Sequence, residues 1–146
     1  MIIMERKEFL KTCGYACLGG GILGAFLTGC NSAKLITGNI AQSDLVVPIS
    51  SFIKKDQTFR KYVVVHNDQL EYPVCVYRFS DKEYTALFMK CTHQGAELQV
   101  FGDMLQCPAH GSEFNDKGIV QTGPADVNLR TFPVTIHNDQ INISLR

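Results

Sequence analysis

The stretch CTHQGAELQVFGDMLQCPAHGS, residues 91–112, decides how the chain is read. It carries two cysteines and two histidines in the order Cys91, His93, Cys107, His110. Each Cys-x-His or Cys-x-x-His segment ends a predicted strand and runs into a glycine, Gly95 or Gly111, so two loops can converge, each offering one thiolate and one imidazole. Donors of that kind suit zinc or iron–sulfur chemistry rather than calcium or magnesium, which take oxygen ligands. A zinc finger usually groups its ligands as Cys-Cys and then His-His; here each segment is mixed. Mixed loops are what a two-iron centre needs if one iron takes both thiolates and the other both imidazoles, because each loop must then straddle the two metals.

Outward from this stretch, short β-branched and aromatic runs alternate with turn residues, and no helical stripe of ten residues or more is present. The expected strands are Leu45 to Val47, Arg60 to His66, Pro73 to Phe79, Tyr84 to Met89, Leu98 to Phe101, Met104 to Gln106, Leu129 to Ile136 and Ile141 to Leu145. Turns are expected at Ser80-Asp81, Gly102-Asp103 and Asp116-Lys117-Gly118. His66-Asn67-Asp68-Gln69 is echoed by His137-Asn138-Asp139-Gln140; neither His has a Cys or His at short ligand spacing, so both copies are read as turns. Cys75, inside the alternating run Val74-Cys75-Val76-Tyr77, is read as a core thiol.

Residues 90–125 closely resemble the Rieske family: the four candidate ligands, Gly95, Gly111, Ser112 and the later Gly123-Pro124-Ala125 stand in family order. The resemblance implies an all-β fold, a small antiparallel β-sandwich or barrel with a cluster-binding subdomain, and one [2Fe-2S] cluster. It implies that Cys91 and Cys107 bind the buried iron, that His93 and His110 bind the outer iron near the surface, that Ser112 hydrogen-bonds a cluster sulfide, and that Gly123-Pro124-Ala125 belongs to a third, shielding loop. Rieske proteins of cytochrome bc-type complexes usually carry a loop-tying disulfide at the positions held here by Ala96 and Ala109, and a thiolate-donating Tyr at the position of Phe114. Donors to sulfur stabilise the more negative reduced cluster, so retaining Ser112 without the Tyr places the expected midpoint in the middle or lower part of the family span of roughly −150 to +300 mV. Gln94 stands where quinol-oxidising relatives commonly have Leu, facing the quinol pocket.

The N-terminal segment has a different character. Residues 12–33 carry no charged side chain and follow Arg6, Lys7 and Lys11, in the manner of an export signal. A spanning helix needs about 20 predominantly apolar residues, and this stretch is interrupted by Gly14, Gly19, Gly20, Gly21, Gly24 and Gly29. Leu27-Thr28-Gly29-Cys30 resembles the lipobox of bacterial lipoproteins, which implies lipidation of Cys30, while an uncleaved N-terminal anchor is the other reading. Arg6-Lys7-Glu8-Phe9-Leu10-Lys11 resembles the twin-arginine signal with Lys in place of the second Arg, a route for folded proteins that suits a cluster assembled in the cytoplasm. Cys13 and Cys17 fall in this signal. The expected organisation is a signal peptide over residues 1–29, a flexible tether over 30–43 and a Rieske domain over 44–146.

The 146 residues balance 14 basic against 14 acidic side chains, leaving no basic surplus for nucleic acid. Ring-hydroxylating oxygenases add an iron domain with a two-His, one-carboxylate site to their Rieske domain; the 21 residues after Ala125 hold one His, so electron transfer rather than intrinsic catalysis is expected. The expected role is a membrane-tethered electron carrier on the periplasmic or other extracytoplasmic side, with quinol or a redox protein such as a cytochrome as partner. A bc-type complex subunit comes first, the small subunit of an arsenite oxidase-like enzyme second, and a zinc-stapled structural module is the remote alternative. Cys30→Ala is expected to leave the precursor uncleaved and free of lipid label; normal processing and labelling of the variant would remove the lipoprotein assignment.

Overall fold

The computed structural model describes residues 33–146. The signal, the lipobox and Cys30 therefore lie outside the described residues. The strands run in chain order as β1 (Leu35–Thr37), β2 (Asn39–Ala41), β3 (Asp44–Pro48), β4 (Tyr62–His66), β5 (Val74–Arg78), β6 (Tyr84–Phe88) and β7 (Gln99–Phe101). They continue as β8 (Met104–Gln106), β9 (Glu113–Phe114), β10 (Val120–Thr122), β11 (Thr131–Phe132), β12 (Val134–His137) and β13 (Gln140–Ser144). One 3-10 turn, η1 (Ile49–Phe52), follows β3, and no α-helix occurs among the described residues. The all-β expectation is met.

The valine-rich runs explain the layering. In Val63-Val64-Val65 and Val74-Cys75-Val76-Tyr77 successive side chains are apolar on both faces, the signature of a sheet covered on both sides. These strands are the centre of a five-stranded sheet ordered β1-β4-β5-β6-β11. One face, carrying Val63, Val65, Val74, Val76 and Ala86, packs on Leu45, Val47, Ile141 and Ile143 of the sheet β12-β13-β3-β2. The other, carrying Val64, Cys75, Tyr77 and Leu87, packs on Leu105 and Phe114 of the sheet β10-β9-β8-β7, together with Cys91 and Cys107. The central sheet thus separates two apolar cores, and the cysteines of the candidate centre belong to only one of them.

The tether expected over residues 30–43 is corrected by β1 and β2. Leu35–Thr37 lies parallel to β4, and Asn39–Ala41 pairs with β3. The Asn, Ser, Thr and Gly content of this segment reads as loop, yet Ile36 and Ile40 pack against the second core. The Lys34 carbonyl accepts the Val64 N–H, and the Asn67 side-chain amide donates to the Gly38 carbonyl at 2.9 Å. The strand expected over residues 129–136 is divided: Pro133, which has no N–H, separates β11 in the central sheet from β12 in the outer one. The two echoed segments do form turns, by different means. Asn67 caps its turn by accepting the Gln69 N–H at 2.9 Å, whereas Asn138 and Asp139 take φ of 47° and 60° in the β12–β13 hairpin.

Gly38 is buried where the chain steps from β1 to β2. A Cβ there would lie 2.6 Å from Val65 Cγ1 and 2.7 Å from Leu45 Cδ1. Gly38→Ala is therefore expected to destabilise the domain by about 1–3 kcal/mol, seen as a lower urea midpoint at unchanged slope; an unchanged midpoint would show that this edge does not constrain the core.

Candidate metal centre

Two loops carry the four side chains, and their backbones are congruent. In the first, between β6 and β7, the Cys91 N–H donates to the Ala96 carbonyl and the Gly95 N–H to the Cys91 carbonyl, both at 2.8 Å. In the second, between β8 and β9, the Cys107 N–H donates to the Ser112 carbonyl at 2.8 Å and the Gly111 N–H to the Cys107 carbonyl at 2.9 Å. The spacings of donors and acceptors match in the two loops. Each closes through a glycine with positive φ, 75° at Gly95 and 77° at Gly111, a conformation that side-chain-bearing residues rarely adopt. Within this shared frame His93 occupies the second position after its Cys and His110 the third.

The result is two pairs. Cys91 and Cys107 are each 2% exposed, at the edge of the first core, and their thiols are hydrogen-bonded to one another. His93 is half-buried and His110 exposed, and their rings meet edge to face with centroids 5.0 Å apart. The order from inside to outside is thiol pair, then imidazole pair. Two thiols and two imidazoles, paired across two loops, are a donor set that fits a [2Fe-2S] centre.

Local chemistry fits such a group. Burial opposes ionisation of Cys107, but hydrogen bonds from the His110 and Ala109 backbone, with the Cys91 thiol, outweigh it and hold the thiol below its ordinary value, toward the thiolate that metals bind. His93 Nδ1 is buried with no hydrogen-bond partner, a lone pair or N–H that needs a ligand. Ser112 is fully buried and its Oγ accepts the Ala125 N–H at 3.0 Å, leaving the hydroxyl proton to donate elsewhere. That bond also fastens the third loop, which contains the cis Gly123-Pro124 peptide, to the second. Thr92 fastens it to the first by donating to the Val127 carbonyl at 2.6 Å. With Ala at positions 96 and 109, these two hydrogen bonds link the ligand loops through their shared neighbour.

Two basic residues beside His93 escape sequence reasoning. An open cleft of about 550 Å³ is lined by Phe88, Lys90, His93, Gln94 and Arg130, among others. Lys90 is paired with Glu71 at 3.3 Å, while Arg130 lies over the Phe132 ring with no carboxylate partner among the described residues. Arg130 comes from the far side of the third loop, and no spacing rule links it to Cys91. Phe114 is fully buried in the first core, where its ring supplies packing and no donor. Cys75 sits in the same core, fully buried, and burial pushes its thiol above the ordinary value.

The sequence model of the Rieske [2Fe-2S] domain matches residues 46–133. Cytochrome b6-f complex iron-sulfur subunit 1 of Synechocystis sp. is 41% identical over 56 residues, 37% of this chain and 32% of that protein. Ferredoxin CarAc of Metapseudomonas resinovorans is 34% identical over 76 residues, 49% of this chain and 70% of the ferredoxin. The crystal structure of the plasma membrane Rieske protein PetC3 from Synechocystis PCC 6803 superposes with a TM-score of 0.50 at 25% identity, covering 57% of this chain and 86% of that one. The matched region is 32% of the length of one b6-f subunit and 45% of that of another.

Burial and thiol chemistry together predict an order of reactivity. In folded protein stripped of metal by a chelator, iodoacetamide is expected to modify Cys107 first, then Cys91, and to spare Cys75 until the chain is unfolded. Peptide mass mapping reads the order, and early modification of Cys75 would contradict the packing described.

Proposed function

This chain belongs to the Rieske [2Fe-2S] domain family, and we propose that it is a membrane-tethered one-electron carrier, the iron–sulfur subunit of a quinol-oxidising cytochrome bc-type complex. Rieske domains hold a single [2Fe-2S] cluster, which supplies one-electron chemistry when bound. The observation that carries the assignment of residues is the pairing on congruent loops: Cys91 with Cys107 inside, His93 with His110 outside. Cys91 and Cys107 would hold the cluster on its buried side, and His93 and His110 would hold it at the edge that a partner approaches. A cluster held by imidazoles would supply one-electron transfer coupled to proton loss. The Ser112 hydroxyl would donate to the cluster and favour its reduced state, while Phe114 shields without donating. The protein is anchored on the extracytoplasmic side through lipid on Cys30.

The likeness to b6-f subunits supports the first choice of complex. A second reading, the small Rieske subunit or electron-transfer partner of another exported oxidoreductase of arsenite oxidase-like kind, is favoured by one residue. Gln94 puts a polar group beside His93, in the cleft that also holds Lys90 and Arg130. An apolar quinol ring gains little there, and a polar or acidic protein edge gains more. In either complex this chain relays electrons and another subunit completes the reaction.

The dithionite-reduced protein is expected to give a Rieske-type EPR signal of low average g, with iron and acid-labile sulfide in equal amounts and a midpoint that falls as pH rises. Zinc in place of iron would overturn the reading. Phe114→Tyr is expected to raise the midpoint, one added donor being worth about 1 kcal/mol, on the order of 40–60 mV for one electron; an unchanged midpoint would show that position 114 does not reach the cluster thiolate.

A further inference from the structure

We propose that the apolar groove formed by Ile49, Ile53, Phe59, Tyr84 and Ile136 is the face that lies on the phospholipid bilayer. The inference rests on the lipoprotein reading of Cys30 and adds to it the orientation of the domain.

Chain length is the first support. Only Asn31, Ser32 and Ala33 separate Cys30 from Lys34. Four residue steps reach at most about 14 Å. Lys34 is fixed to the folded domain, its carbonyl accepting the Val64 N–H at 3.0 Å and its Nζ donating to the Ser51 carbonyl at 3.1 Å. Ser51 lies within η1, the turn that begins with Ile49 and is followed directly by Ile53. A lipid on Cys30 therefore holds its bilayer within a short reach of this groove.

The groove itself is the second support. It encloses about 560 Å³, and three of its large apolar side chains stand open to solvent: Ile53 at 38%, Phe59 at 45% and Ile136 at 39%. Tyr84 adds its ring to the groove, packed edge-on against the buried Phe52 with centroids 5.5 Å apart. Asp81, Lys82 and Asp139 also line it, and the Arg78 guanidinium lies 3.8 Å from the Phe59 ring centroid. The charges are mixed, so the contact does not depend on anionic lipid. A surface this small would not bind vesicles alone; the anchor supplies the effective concentration that populates the contact.

The consequence concerns the redox end. Tyr84 opens β6, and Cys91 lies beyond its other end. β6 alone spans about 13 Å at the usual rise per residue. The groove and the His93 and His110 edge are thus set apart along that strand, so contact of the groove with the bilayer leaves the edge free for a partner.

The chain contains no tryptophan, so Phe59→Trp creates a unique reporter. The processed, cluster-loaded Phe59→Trp protein would be reconstituted in phosphatidylcholine vesicles containing brominated acyl chains. Phe101→Trp, at the β7–β8 hairpin on the other core, serves as reference. Quenching several-fold stronger at position 59 than at 101 is expected. It should fall toward the reference when Ile53→Asp and Ile136→Asp are added, or when a Gly-Ser segment of about 12 residues is inserted after Asn31. A mass spectrum of the same sample reports the N-terminus. Lipid present on Cys30 with equal quenching at both positions overturns the orientation alone; absence of lipid overturns the anchor reading and the orientation with it.

Discussion

The two loop frames closed by Gly95 and Gly111 are the constraint on which the metal centre depends. Each is a pair of backbone hydrogen bonds around one Cys, and each needs a residue of positive φ to return the chain to its strand. Because the frames are congruent, the thiols arrive side by side at the core edge. Because His93 and His110 occupy different positions within the frames, their rings meet edge to face rather than lying equivalently. Like side chains are thereby grouped across loops and unlike ones within them, the grouping that the proposed binuclear centre would use. The sheet β10-β9-β8-β7 serves chiefly to hold the two frames at this separation, with Leu105 and Phe114 paired in register beneath them.

Much of this is legible in the order of residues alone, because the chemistry demands rare residues at fixed spacing. Cys91, His93, Cys107 and His110 cannot be explained as packing, and the Val63 to Val65 and Val74 to Tyr77 runs admit little besides covered strands. What is illegible has a common cause. β1 and β2 each bring one apolar residue, Ile36 or Ile40, to the core, below the threshold at which alternation is recognised. β9 holds two residues. Their strand character comes from partners supplied by distant segments. The same holds at the site: Arg130, the Val127 carbonyl and the Ala125 N–H reach the ligand loops only through tertiary folding.

Among the described residues no disulfide joins the two loops. Ala96 is partly buried against the first core and Ala109 is exposed, so neither position has been refilled by a larger side chain. The loops are joined instead through a third party, with Ser112 bound to Ala125 and Thr92 to Val127. One of these bonds is buried and worth more than an exposed one, since a buried donor left unpaired carries a desolvation cost of about 1–3 kcal/mol. The exposed Thr92 bond is exchangeable with water. The second loop is therefore held more firmly than the first, and loosening should begin on the His93 side, where the basic cleft lies.

A central sheet with separate cores on its two faces partitions the molecule by chemistry. The first core contains Cys91 and Cys107, the cysteines proposed to bind the cluster, so its packing and the geometry of that pair cannot vary independently. The second contains none, and its outer surface carries the apolar groove near Lys34. Lys61, at the start of β4, bridges to Asp103 at 2.7 Å and lies 3.9 Å from Asp116, an exposed contact with the metal-binding side that adds little to what the shared central sheet already supplies. In the proposed membrane-bound state the short segment before Lys34, at most about 14 Å long, keeps the domain close to the bilayer. Travel between partners falls to lateral diffusion of the lipid anchor, so the segment sets the height of the redox edge and not the spacing of donor and acceptor.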